Sequence, residues 1–381
     1  MMSLPRLPTY GAEQRRTPRI DWLLILATLL LMTIGMMSLY SEGITHDGGA
    51  GFRKQLLNTF IGLIPFSIFA FTPPQIWNRC VNLVYAFNVV MLGAVLVFGK
   101  HINGAERWIQ VGPIQFQPSE IAKVLTVITL ASFYARRQDS IHKLSTFGLG
   151  LLHVSVPLLL ILLQPHLGAA LVLMVSWFAI SLVVGVPSKY LAATVAVVVA
   201  LAALVVVAPK MKFLPLHSYQ MQRVSEMLSS KKDDKGKSWQ VERAEIAFAE
   251  GGVLGTGYLR GEQKAGHFIP LQSDDFIITV VGEEGGLIGC TLVLAAFGFF
   301  FFRLWLIMFQ ATDLYYKMIV GGLFAALAFH MIVNTAMVLG MLPVVGLWLP
   351  FLSYGGSAMW MCLSCVGLAL NIRRRERPLL F

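Results

Sequence analysis

The chain reads as an all-α polytopic membrane protein of about ten transmembrane helices, with one long extracytoplasmic loop between the seventh and eighth. Three observations predict this. Of 381 residues, 56% are hydrophobic and 13% charged, about half the roughly 25% charged share of a soluble domain. The mean hydropathy is +0.69. Apolar runs of about 20 residues, enough to cross a bilayer core, recur along nearly the whole sequence. They leave little room for a soluble domain, so residues 1–381 are expected to form one membrane domain.

Taken in order, the N-terminal arm 1–19 is polar and basic, with Arg6, Arg15, Arg16 and Arg19. The run that follows, "IDWLLILATLLLMTIGMMSLY", exceeds a signal-peptide core and is read as a retained first helix. The expected spans are 20–41, 54–72, 80–98, 118–136, 146–164, 166–187, 189–208, 276–302, 315–340 and 350–371. An even number puts both ends on one side. The arm, "ARRQDSIHK" (135–143), Lys189, Lys317 and "RRRER" (373–377) fall on that side, and by the positive-inside rule it is cytoplasmic, the tail 372–381 included. The external segments are then 42–53, 99–117 and the long 209–275.

The long loop contains "SSKKDDKGKS" (229–238), which has the composition of a mobile tip. After it, Val241, Ala244, Ile246, Ala247 and Phe248 predict a short amphipathic helix before a Gly-rich turn. The four cysteines, Cys80, Cys290, Cys362 and Cys365, lie in or beside apolar runs. They suggest packing residues and no disulfide framework.

Ionisable residues in membrane spans mark a substrate path or a partner. Three clusters qualify. In "NGAERWIQVGPIQFQPSEIAK" (103–123), Pro118 suits a first helical position, so Glu120 and Lys123 share one face at the external mouth. A helix-end ion pair is the plainer account, and Arg107 with Trp108 fits an interfacial anchor as well as an anion clamp. In "IPLQSDDFIITVVGEEGG" (269–286), Asp274 and Asp275 sit at the mouth, and one of the two suits a helix N-cap. Glu283 and Glu284 are expected roughly 12 to 14 Å deeper, inside the bundle. In "LPVVGLWLPFLSYGGSAMW" (342–360), two prolines and the stretch from Ser353 to Ser357 predict an irregular backbone lining a cavity, or close packing on glycine. The lone histidines His153 and His330 read as helix-packing residues. No P-loop, zinc motif or Ser-His-Asp pattern appears, and no nucleic-acid partner is expected.

The first and third clusters resemble the two most recognisable blocks of the SEDS family (shape, elongation, division and sporulation). "RIDWLLILATLLLMTIGMMSLYS" and the "TGYLRG" to "VVGEEGGLIG" region resemble it too, so the likeness covers nearly the full chain. "PVVGL" (343–347) is closer to elongation members than to division members. The resemblance implies a peptidoglycan glycosyltransferase of the bacterial inner membrane that joins lipid II disaccharides into glycan strands on the outer face. It also implies a class B penicillin-binding protein transpeptidase as partner, and surrounding membrane lipids. By the same resemblance Asp275 is the essential carboxylate and general base, and Arg107, Glu120, Lys123, His166 and Ser353 are substrate-cavity residues. No cofactor is certain; a divalent cation, Mg2+ or Mn2+, is compatible with a departing diphosphate.

The sequence departs from the family pattern in two places. "QPHLGAA" puts His166 where an aspartate is usual, which predicts a more pH-sensitive site because His titrates near neutrality. Arg243 and Ala244 replace a Gln-Ser pair ahead of the Gly-rich turn. The alternatives are a lipid II flippase, which would place charge near the midplane on broken helices in both halves, a division-type polymerase, and a non-catalytic scaffold.

Overall fold

The computed structural model describes residues 20–46, 48–102, 105–111, 114–211 and 237–375. The tip 229–236, the stretch 217–228, the arm 1–19 and residues 376–381 lie outside these. Long helices dominate the described residues: α1 (Trp22–His46), α2 (Ala50–Phe71), α3 (Val81–Phe98), α4 (Pro118–Ala135), α5 (Leu144–Leu163), α6 (Leu167–Val184), α7 (Ser188–Met211), α8 (Ile278–Gln310), α9 (Leu314–Val338) and α10 (Gly356–Arg375). Most of their limits fall within a few residues of the runs read from hydropathy. The last begins at Gly356 rather than near 350, because the Pro343–Gly355 stretch is not helical.

By length and composition, seven of these helices suit a membrane crossing: α1, α2, α3, α5, α6, α8 and α9. The expected count of ten goes beyond these seven. Helix α4 carries Glu120, Lys123 and five hydroxyls, and α10 carries Ser357, Ser364, Asn371 and three arginines. Both can be polar because neither faces lipid. Nearly every residue from Pro118 to Ser132 and from Gly356 to Ile372 is buried, with α10 packed along α2 and α4 packed against α3, α6 and α9. Outward side chains are instead apolar, as in Phe60, Leu83 and Val97, all more than 60% exposed, the surface a bilayer requires.

Two features bear on the site. Residues Lys100–Ile102, Ala105–Val111 and Ile114–Phe116 form a three-stranded antiparallel sheet, β1 to β3, in sequence order. An all-α reading did not anticipate it. The alternation of Ile109, Val111, Ile114 and Phe116 is the period-2 signal, in strands too short to stand out beside 20-residue apolar runs.

Helix α8 is also broken. At 33 residues it would span about 50 Å unbroken, well beyond a hydrocarbon core of roughly 30 Å. Gly286 interrupts it with φ 61° and ψ −158°, a conformation open to glycine alone. The backbone groups released by the break are taken up by residues 252–257. Leu287 and Ile288 N–H donate to the carbonyls of Gly252 and Val253, while the carbonyls of Glu283 and Glu284 accept from Thr256 and Gly257 N–H, at 2.9 to 3.2 Å. Buried backbone is thus satisfied without helix. The expected amphipathic helix appears at Lys237–Gly251, with Ala244 and Ala247 fully buried and its body packed on α8 and α9.

Candidate active site

The expected site residues converge at the end of the bundle where α4, α6, α8 and α10 begin. Strand β2 carries Arg107, whose guanidinium donates to the carbonyls of Gln164 (3.1 Å from Nε) and Pro165. This anchors it to the hinge between α5 and α6. Next in that hinge, His166 is buried, its Nδ1 3.3 Å from both Gln117 Nε2 and Ser119 Oγ. Gln117 N–H in turn donates to Ser357 Oγ at 2.7 Å. The hinge, the start of α4 and the start of α10 are therefore one hydrogen-bonded unit.

Glu120 and Lys123 are not at an aqueous mouth. Their side chains are 1% and 0% exposed, and the Lys123 ammonium donates to Glu120 Oε1 and Oε2 at 3.0 and 2.8 Å. Its third contact is His330 Nε2, at 3.0 Å. Trp348 stacks on the His330 ring, centroids 3.9 Å apart. One turn along α9, Asn334 Nδ2 donates to the carbonyls of Asp275 (2.7 Å) and Leu347 (2.6 Å). The amide's orientation follows, since two carbonyl oxygens require the nitrogen between them.

Asp275 is half-buried, just before α8, and its carboxylate lies against Gly346. Gly346 has φ +71°, and a Cβ there would stand 3.4 Å from Asp275 Oδ2. The N-cap of α8 expected from one of the two aspartates is not supplied by Asp274. The helix starts at Ile278 with no side-chain cap, and Asp274 Oδ1 accepts instead from Ser273 Oγ at 3.2 Å. Burial, together with the charge of Asp275, pushes the Asp274 carboxyl up to about 7. Ser353 serves its own loop: its Oγ accepts from Leu349 N–H at 2.7 Å and its carbonyl from Gln55 Nε2 at 3.3 Å.

Glu283 and Glu284 are five and six residues past the start of α8 and buried as expected, against the 256–265 loop. Glu283 accepts from the N–H of Gln263 at 2.6 Å. Glu284 accepts from Ser41 Oγ at 2.6 Å and Leu259 N–H at 3.0 Å, and pairs with Lys264, which is 0% exposed. These are structural contacts.

Sequence reasoning missed Lys264 and the link of His330 to Lys123. The available signals were a carboxylate at depth that needed a counter-charge, and a His and an Asn four residues apart on an apolar helix. Among the described residues no group of three His, Cys, Asp or Glu side chains could hold a metal ion, so the residues present do not make a resident metal cage. Beside this frame, α2, α3, α4 and α10 enclose a wholly apolar groove of 630 Å³ lined by residues such as Ile64, Phe87, Ile121 and Trp360.

The family described as "Cell cycle protein", of FtsW, RodA and SpoVE, matches residues 16–378. The chain is similar to the peptidoglycan glycosyltransferase MrdB of Escherichia coli K12, at 31% identity over 94% of this chain and 95% of that one. It is also similar to a probable peptidoglycan glycosyltransferase FtsW of Trichlorobacter lovleyi, at 32% identity over 94% of each. Among solved structures, a chain of a peptidoglycan synthase complex described as coordinating polymerization and crosslinking aligns with a TM-score of 0.78 at 28% identity, covering 93% of this chain and 98% of that one. The rod shape determining protein RodA of Thermus thermophilus aligns at 0.68 and 25% identity, covering 94% and 97%. With an apolar helical bundle and a family match over nearly its whole length, the chain is an integral inner-membrane protein and belongs to the FtsW/RodA/SpoVE cell cycle protein family.

Proposed function

We propose that the chain is a peptidoglycan glycosyltransferase that polymerises lipid II, with Asp275 as general base. The observation that carries this is the seat of Asp275. A half-buried carboxylate at the end of an apolar bundle is placed to reach the headgroup sugars of membrane-held substrates, and its backbone is fixed to the frame that holds Glu120 and Lys123. In the transfer, the 4-hydroxyl of the acceptor sugar attacks the anomeric carbon of the donor strand as Asp275 takes its proton. The bond from that carbon to the diphosphate oxygen breaks, and the lipid diphosphate leaves.

The leaving diphosphate needs positive charge. Arg107, held by two carbonyls beside the hinge, is assigned that role, since a guanidinium fork suits phosphate oxygens. Lys123 directs its donors to Glu120 and His330 inside the bundle, so its part is to hold the frame. The apolar groove beside Ile121 suits the polyprenyl tail. His166 and Ser353 shape the hinge and the α10 entry around the sugars.

The site end is assigned to the outer face, with both termini cytoplasmic, on the distribution of Lys and Arg. A class B penicillin-binding protein is the proposed partner, supported by the likeness to the synthase-complex chain. Assignment to elongation and rod shape rests on "PVVGL", because relatives of both types match at nearly equal identity. A flippase reading draws on the break at Gly286, yet the carboxylates there are already engaged by the 256–265 loop. Purified protein given lipid II separates the two: glycan polymer supports the glycosyltransferase, and leaflet transfer without polymer supports the flippase.

A further inference from the structure

The base assignment leaves open what aims the carboxylate. Asp275 precedes α8 in a turn, Asp274 and Asp275 N–H both donating to Leu271 O at 3.1 and 3.2 Å, and Leu271 has a positive φ of 55°. That turn sets the Asp275 backbone just ahead of the helix. The tie comes from α9. Asn334, 0% exposed, places its two N–H bonds on Asp275 O and Leu347 O. One helical turn earlier on the same face, His330, also 0% exposed, stacks on Trp348 and contacts Lys123 Nζ. Between the two grips runs Gly346–Trp348, whose Gly346 backbone lies against the Asp275 carboxylate. Helix packing alone does not require an amide that bridges two carbonyls from segments more than 70 residues apart in sequence.

Resting on the reading of Asp275 as base, we infer that Asn334 is a positioning residue. It clamps Asp275 to the Gly346–Trp348 segment and, with His330, sets that segment in register with the Glu120–Lys123 pair. It touches neither substrate nor reacting atoms. Its loss changes the rate of the chemical step and leaves substrate binding alone.

The test uses the full-length protein with its transpeptidase partner and lipid II as substrate, comparing kcat, KM and thermal unfolding for wild type and Asn334→Ala. A loss of aim of about 1 Å costs up to about a hundredfold, so kcat is expected to fall about ten- to hundredfold with KM changed less than about twofold. Asn334→Ser supplies one donor in place of two and falls between them. If the Ala variant does not fold, Asn334→Ser decides: lower kcat at unchanged KM supports the role. Wild-type kcat in a folded variant, or an effect on KM alone, overturns it. Asp275→Asn, measured alongside, separates the two claims. Wild-type polymerisation by Asp275→Asn removes the base assignment and this role with it. An inactive Asp275→Asn beside a fully active Asn334→Ala removes the positioning role alone.

Discussion

Lys123 donates to both carboxylate oxygens of Glu120 in a place neither side chain shares with solvent. The pair is three residues apart on α4, at the spacing that makes helix neighbours. An exposed pair at that spacing is worth a few tenths of a kcal/mol, whereas breaking a buried one leaves a charge without a partner, at about 3 to 5 kcal/mol. Glu120→Gln or Lys123→Met alone is therefore expected to lower the unfolding temperature in detergent markedly. Glu120→Gln with Lys123→Met removes both charges and recovers much of the loss. A double-variant loss equal to the sum of the two single losses would show the charges to be uncoupled.

The Lys264–Glu284 pair ties the 256–265 loop to the upper part of α8 and, through Ser41, to α1. Lys264→Met leaves Glu284 buried with only neutral donors. The loop is expected to open, read as faster hydrogen exchange and earlier proteolysis across 252–265 than in α9. Unchanged protection there would contradict the tie.

Gly286 and Gly285 provide a backbone contrast. A Cβ on Gly286 would stand 2.4 Å from Gly255 N at a φ of +61°, whereas one on Gly285 meets nothing within 4 Å. Gly286→Ala is expected to lose most folded protein, and Gly285→Ala to lose only what a neutral surface change does. Comparable yields from both would mean that the break does not depend on Gly286.

Much of this was legible in advance. Apolar length marked most helix limits, and the spacing of Pro118, Glu120 and Lys123 put acid and base on one face. The sequence could not reveal how deeply they are buried, because α4 reads as a polar helix mouth until α3, α6 and α9 surround it. The expected aspartate cap is absent because the chain turns at Leu271 and the helix starts only at Ile278, three residues after Asp275. The sheet carrying Arg107 is built of local hairpins whose strands are too short for their period-2 pattern to stand out, and the counter-charge at Lys264 depends on a contact with Glu284 that local periodicity does not record.

Asp274 gives a pH dependence with a defined sign. Its carboxyl, raised from 3.8 to about 7 by burial and the charge of Asp275, keeps in the native state a proton the unfolded chain has lost. The native state then holds more protons between those values. Stability from this group therefore falls as pH rises from about 4 to about 7 and is level above. Asp274→Asn is expected to remove that slope from the unfolding temperature measured over this range. A slope equal to that of wild type would place its origin elsewhere.

His166 stands 3.3 Å from Ser119 and Gln117 at the hinge. If its titration reaches the site, the pH–activity profile of His166→Asp shifts relative to wild type. Superimposable profiles would remove His166 from the pH response.

The central claim is that Asp275 performs the chemistry. Polymerisation of lipid II by purified wild type and Asp275→Asn, each with its transpeptidase partner and with partner binding measured in the same preparation, tests it most directly. Glycan product from wild type and none from Asp275→Asn, with binding retained, is the expected result; unimpaired polymer from Asp275→Asn would contradict the account.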